Sequence, residues 1–143
     1  MSLVSVLSTA FTRVGTEVKA VRTEMASGVL TMTNKRVTKR IVSTASTATL
    51  TIDSDAYDAA VLTAQAAALS IANPTGTPTE CQMLLIRIKD NGTARAITWS
   101  GSQWRALGVP LPLTTVISKA LVVLAAWNVA DSKWDVIGLS MEA

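Results

Sequence analysis

The sequence predicts a mainly β protein. An N-terminal α-helix forms a trimeric coiled coil and is followed by a jelly-roll-like antiparallel β-sandwich. Three observations carry this expectation. The first 28 residues hold an unbroken heptad seam of apolar side chains. The rest reads as short β-branched segments separated by turn signals every 8 to 12 residues or so. The composition, 49% hydrophobic and 16% charged over 143 residues, leaves too few charges to cover the surface of an ordinary domain, which buried subunit contacts would explain. The expected organisation is a coiled-coil helix over 1–28, a basic connecting segment over 29–46 and a β-sandwich domain over 47–143.

In the helix, Val4, Leu7, Phe11, Val14, Val18, Val21 and Met25 are spaced 3, 4, 3, 4, 3, 4. With Val4 at position a, the a sites are Val4, Phe11, Val18 and Met25, and the d sites are Leu7, Val14 and Val21. β-branched side chains at both a and d favour more than two strands, so these seven residues are the expected trimerisation seam. Glu17 at g and Arg22 at the following e site can pair between neighbouring helices. The alternative is one amphipathic helix packed on its own domain, because 3.6-residue periodicity gives the same spacing over so short a span. Thr9, Thr16 and Thr23 at f and Gly15 at e are poor helix formers, so the helix needs a partner in either case. The strict a/d stripe favours self-association. The helix should stop near Ser27-Gly28, since glycine commonly follows a helix end.

Composition removes several classes of function. With no histidine and one cysteine, Cys81, the chain holds no His-based catalytic triad, no His or multi-Cys zinc site and no internal disulfide. No cofactor is expected. The longest apolar run, Ala120 to Trp127, is far short of the ~20 residues that span a bilayer, so no membrane partner is expected. The amino terminus lacks the pattern of a secretory signal. Residues 1–42 hold seven Lys/Arg against two Glu, and 43–143 hold six against eight Asp/Glu, so the two parts carry opposite net charge.

Lys35, Arg36, Lys39 and Arg40 form the basic segment, read either as an acid-paired strand or as a docking site for an acidic partner. A nucleic-acid patch is disfavoured, because no aromatic residue is interleaved to stack bases. Ala48 to Ile52 reads as a strand ended by Asp53-Ser54-Asp55-Ala56-Tyr57-Asp58. These acids fail the calcium-loop pattern, which wants Gly and Glu where Asp58 and Ala64 stand. A turn with acids capping backbone amides or meeting basic residues is the better reading. Ala59 to Ala72 reads as a helix or as two short strands around Gln65-Ala66-Ala67, with strands preferred. Asn73 to Pro78 is a loop.

Met83 to Lys89 and Thr93 to Trp99 flank Asp90-Asn91-Gly92 and predict a hairpin. Gln103 to Leu107 is a short strand, and Gly108 to Pro112 crosses to the other side of the fold. Val116 to Trp127 and Lys133 to Leu139 make a second hairpin around Asn128 to Ser132. All four tryptophans, Trp99, Trp104, Trp127 and Trp134, lie in this final section. Cross-strand packing is their expected role, with one or two on a common face as a glycan-stacking platform the alternative.

From Leu30 the sequence resembles a module of tailed-bacteriophage structural proteins. The matching text is Leu30 to Arg40, Pro74 to Pro78, Leu85 to Trp99 and Ala130 to Val136, with Arg87 to Trp99 the most specific block. Leu3 to Leu7 and Arg13 to Thr23 resemble the leading helices of phage appendage proteins, which are associated with trimers. Glu80-Cys81 departs from the Asp-Gly turn expected before the Leu-Ile-Arg strand, and no repetitive shaft separates helix and head. The second departure favours a short appendage over a long fibre. The resemblance implies a non-enzymatic virion component, assembled in the host cytoplasm as a homotrimer. It would decorate or cement the capsid exterior as a cement protein or head fibre, bound to the major capsid protein. The alternative is a short tail fibre or baseplate protein attached to a tail protein and binding host-surface glycan. A glycan-cleaving enzyme ranks below both; Asp53, Asp55, Asp58, Asp131 and Asp135 are candidates by residue type only.

Overall fold

The structure, a computed structural model, describes residues 2–27, 36 and 38–143, over 21–27 in backbone alone. It divides into two compact units, 1–37 and 38–143. The first holds one helix, α1 (Leu3–Ser27), which ends where the sequence predicts. Ser2 caps it: its hydroxyl accepts the Ser5 amide at 3.2 Å, and its carbonyl starts the helical ladder at Val6. The hydroxyls of Thr9, Thr12 and Thr16 donate to the carbonyls of Ser5, Ser8 and Thr12. These poor helix formers therefore spend their polar groups on the helix itself.

The second unit is β throughout: β1 (Ile41–Thr44), β2 (Thr49–Leu50), β3 (Ala59–Gln65), β4 (Leu69–Ile71), β5 (Met83–Asp90), β6 (Ile97–Trp99), β7 (Trp104–Ala106), β8 (Ala120–Asn128) and β9 (Lys133–Met141). Six strands form one sheet in the order β1-β3-β5-β8-β9-β7, and three form another in the order β2-β4-β6. The chain therefore shuttles between the sheets three times, each pass laying one strand in each. Successive passes pair in parallel. Ile41, Ala59 and Leu85 stand side by side in one sheet, and Leu50, Ile71 and Trp99 in the other.

This pairing corrects the expected antiparallel arrangement: the six-stranded sheet is mixed, the three-stranded sheet is parallel throughout, and among the named strands antiparallel pairing joins only β5 to β8 and β8 to β9. It also corrects the first hairpin. The strand at Met83 forms, but β6 pairs with β4 and not with β5. The cause is local. The Asp90 carboxylate is buried and accepts the amides of Gly92 and Ser118 and the Thr115 hydroxyl, at 2.8 to 2.9 Å. Those bonds, the Ser118 amide foremost, hold its pKa below the usual carboxylate range. They fold the Asn-Gly bend towards the 114–118 segment, so the chain leaves for the second sheet.

Other expectations hold. Ala59 to Ala72 is two strands. β8 and β9 form the second hairpin, with its first arm starting at Ala120. The Gly108 to Pro112 segment crosses sides, from Leu107, whose amide bonds Val136, to Leu113, whose carbonyl accepts the Ile97 amide. β1 falls inside the segment expected to be a connector and is part of the β unit.

One core fills the space the two sheets share. Ala60, Leu62, Ile86, Ile88, Leu121 and Val123 come from the larger sheet; Leu50, Leu69, Ile71 and Ile97 come from the smaller. Strict alternation makes this possible: in β8 every second residue from Leu121 to Trp127 is buried. Gln65, fully buried, stitches two passes together. Its amide accepts the Thr47 amide at 3.1 Å and donates to the carbonyls of Thr47 and Ala67. At Gly101, φ is +128° and a Cβ would lie 2.1 Å from Asn73 Oδ1, which already accepts the Gln103 amide, so only glycine fits this bend.

Candidate interaction surfaces

The described a and d residues of the helix are exposed. Val4 is 76% exposed, Phe11 74% and Val18 53%, with Leu7 and Val14 also exposed. Leucine, valine and phenylalanine aligned on one stripe and left in water give up roughly 1.5 to 3 kcal/mol each relative to burial. Val21 and Met25 continue the spacing, but their side chains lie outside the described ones. Glu17 accepts Arg13 Nε at 3.1 Å within the same helix, four residues away. This pair is almost fully solvated and adds little.

The basic segment is only partly available to a partner. Arg40 is committed to its own β unit: its Nη2 and Nε meet the two Asp58 carboxylate oxygens at 2.7 and 3.2 Å, and its Nη1 donates to the Asp55 carbonyl. The Arg40 amide also donates to Asp58. The guanidinium and this amide together hold the Asp58 carboxyl down at about 2. Arg36 and Lys39 are exposed, and Lys35 lies outside the described residues. The acid-paired reading therefore describes Arg40, and only Arg36 and Lys39 remain as described docking cations.

The aspartate turn is a folding device. Asp53 Oδ1 accepts the Asp55 amide, and Asp55 Oδ1 accepts the Thr77 amide at 2.9 Å, tying the turn to the Pro74 to Pro78 loop. Gly76 is obligatory there, with φ +98° and a would-be Cβ 2.7 Å from Ser54 Oγ. Asp131 and Asp135 are both held by Arg105, at 2.8 and 2.6 Å. The Asp135 hydrogen bond to Arg105 keeps that carboxyl below its usual range. None of these acids is among the described residues that line the cleft beside Trp127 and Trp134. No cluster of three metal-ligating side chains occurs among the described residues.

The four tryptophans form a continuous chain of rings. Centroids are 5.0 Å apart for Trp99 and Trp104, 6.4 Å for Trp104 and Trp134, and 5.3 Å for Trp134 and Trp127, all edge-on or tilted. Trp104, Trp127 and Trp134 are buried, the last only 1% exposed; Trp99 is half-buried. The indole N–H of Trp99 donates to the Pro112 carbonyl and that of Trp104 to Ala72. Cross-strand and core packing is thus what these rings do, and no pair of them presents coplanar open faces.

Trp127 and Trp134 border a cleft of about 350 Å³ with Pro74, Thr77, Pro78 and Gln103. None of the described residues that line it is charged. The buried Gln103 Oε1 has no hydrogen-bond partner among the described residues. Sequence reasoning missed this cleft. Its walls come from three separated segments, and the Pro-Thr-Gly-Thr-Pro loop was its only local signal.

Compared with family models, curated proteins and solved structures, the chain matches none. Fold and surfaces alone define a class: a helix whose described a and d residues are exposed, joined in sequence to a compact, mixed-sheet β unit.

Proposed function

We propose that the chain is a non-enzymatic structural component of a tailed-bacteriophage virion, a short trimeric appendage that decorates or cements the capsid exterior. The helices associate through Val4, Leu7, Phe11, Val14, Val18, Val21 and Met25 into a coiled-coil stem, and the β unit forms a sandwich-like head. The observation that carries this reading is the exposed heptad seam: five described a and d residues face water on a helix too poor in propensity to stand alone. The resemblance of the Arg87 to Trp99 text and of the leading helix to phage appendage proteins supplies the setting.

The mechanism is geometric. A threefold stem suits a local threefold site on a shell, and at ~25 cal/mol per Å² of apolar area even a small footprint matters when repeated over many copies. Among the described residues of the basic segment, Arg36 and Lys39 are the cations left to meet an acidic coat surface. Gold-tagged antibody against the chain, imaged on intact virions, tests the reading: label over the heads supports it, and label confined to the tail overturns it.

Label at the tail would support the second reading, a short tail fibre or baseplate protein. The uncharged cleft beside Trp127 and Trp134 favours a neutral ligand there, such as a host glycan. Quenching or a shift of tryptophan emission on adding cell-wall polysaccharide is the expected sign. An unchanged spectrum across saturating polysaccharide would count against it.

A further inference from the structure

We infer that the outward face of the six-stranded sheet is a second contact between copies of this chain, packing the β units against one another. The inference rests on the trimer reading for its stoichiometry, but on separate residues.

The alternation that sends Leu62, Ile86 and Val123 into the core sends their neighbours to the other side of the sheet, where an ordinary half-solvated sheet is polar. Here it is not. Registration places Ile41, Ala59, Leu85 and Leu124 in one cross-strand row. Met83 with Ala126, and Val122, flank that row, and Ile137 bulges out beside it where the β8 and β9 register shifts. Ile41 and Ile137 are exposed, and every outward residue of β8 from Ala120 to Asn128 remains partly exposed.

Charge bounds this apolar band. Arg87 and Lys89, both exposed, stand towards one end of the strands, and the Arg105, Asp131 and Asp135 group stands at the other. An apolar centre within a charged rim is the anatomy of a protein interface.

Area selects the occupant. Six strands of four, seven, eight, nine, nine and three residues, rising about 3.3 Å per residue and spaced about 4.8 Å apart, give a face of roughly 600 Å². That falls short of the ~800 Å² that each partner in a specific complex buries. The face therefore needs a companion contact, and this chain carries one in the helix seam. Copies already joined by their helices meet at high effective concentration, so a modest face suffices.

Pairwise spin-label distances in the full chain test this. In a Cys81→Ser background, nitroxides are placed singly at Ser140→Cys on the outward face, Thr49→Cys on the smaller sheet and Thr16→Cys on the helix. The expected result is a short, narrow distance at Ser140 and at Thr16 and a longer one at Thr49. Adding Leu124→Glu should broaden the Ser140 distance while leaving Thr16 unchanged and the tryptophan spectrum folded.

A narrow Thr16 distance with Ser140 no closer than Thr49 overturns the face contact and leaves the stem. A narrow Ser140 distance without one at Thr16 supports the face contact and overturns both the stem and the argument that the face needs it as a companion. No dipolar distance at any site overturns both.

Discussion

The helix and the β unit solve the same problem, burying apolar surface, by opposite routes. The β unit folds its chain back through three passes until Leu62, Ile71, Ile86 and Val123 are within a percent or so of complete burial. The helix leaves Val4, Phe11 and Val18 more than half exposed. A region that closes its own core is stable alone, whereas one that presents a seam is stable only in company. On the proposed reading, the β unit supplies the stability and the helix starts the association of copies.

The largest expected effect breaks that division of labour at the seam. Val18→Asp places a carboxylate in every copy at the centre of the stem and should abolish association of the full chain by sedimentation, while the near-ultraviolet spectrum of the tryptophan chain stays intact. Loss of both together would mean that the helix belongs to the β core. In the opposite sense, Ile86→Ala should cost about 2 to 5 kcal/mol by thermal or urea unfolding of the β unit. That variant should still associate through its helices under native conditions.

Two smaller effects sharpen the account of the β unit. Gly101→Ala forces a side chain onto Asn73 at a φ that side chains rarely adopt, and should lower the melting temperature by less than the core truncation does. The smallest effect is in acid. The Asp58 carboxyl sits at about 2 in the fold, below its ordinary value near 3.9. Its pair with Arg40 therefore contributes fully above the ordinary value and is lost as the pH falls through about 2. Arg40→Gln should flatten the decline in stability between those pH values. An unchanged acid slope would show that the solvated pair contributes nothing.

How much of this was legible in the sequence depends on whether the signal was local. The helix and its end were readable from the 3-4 spacing and Ser27-Gly28. The β8 and β9 hairpin was readable from two long alternating arms joined by five turn residues. The fate of Asp90-Asn91-Gly92 was not. An Asn-Gly bend predicts a hairpin, but Asp90 takes its bonds from Ser118 and Thr115, more than twenty residues ahead.

Nor do the three parallel passes announce themselves. The step from Ile41 to Ala59 is 18 residues and that from Ala59 to Leu85 is 26, so no repeat of fixed period appears. Arg40 illustrates the same limit at the site level. Its place in a basic run suggests a free surface, and its bidentate hold on Asp58 depends on a parallel pairing that composition cannot reveal.

The account turns on whether the exposed seam joins copies of the chain, and sedimentation equilibrium of the full chain at micromolar concentration measures that directly. A single species at three times the 15.1 kDa chain mass, returning to one chain mass on Val18→Asp, is the predicted result. Only the 15.1 kDa species, at every concentration tested, would contradict it.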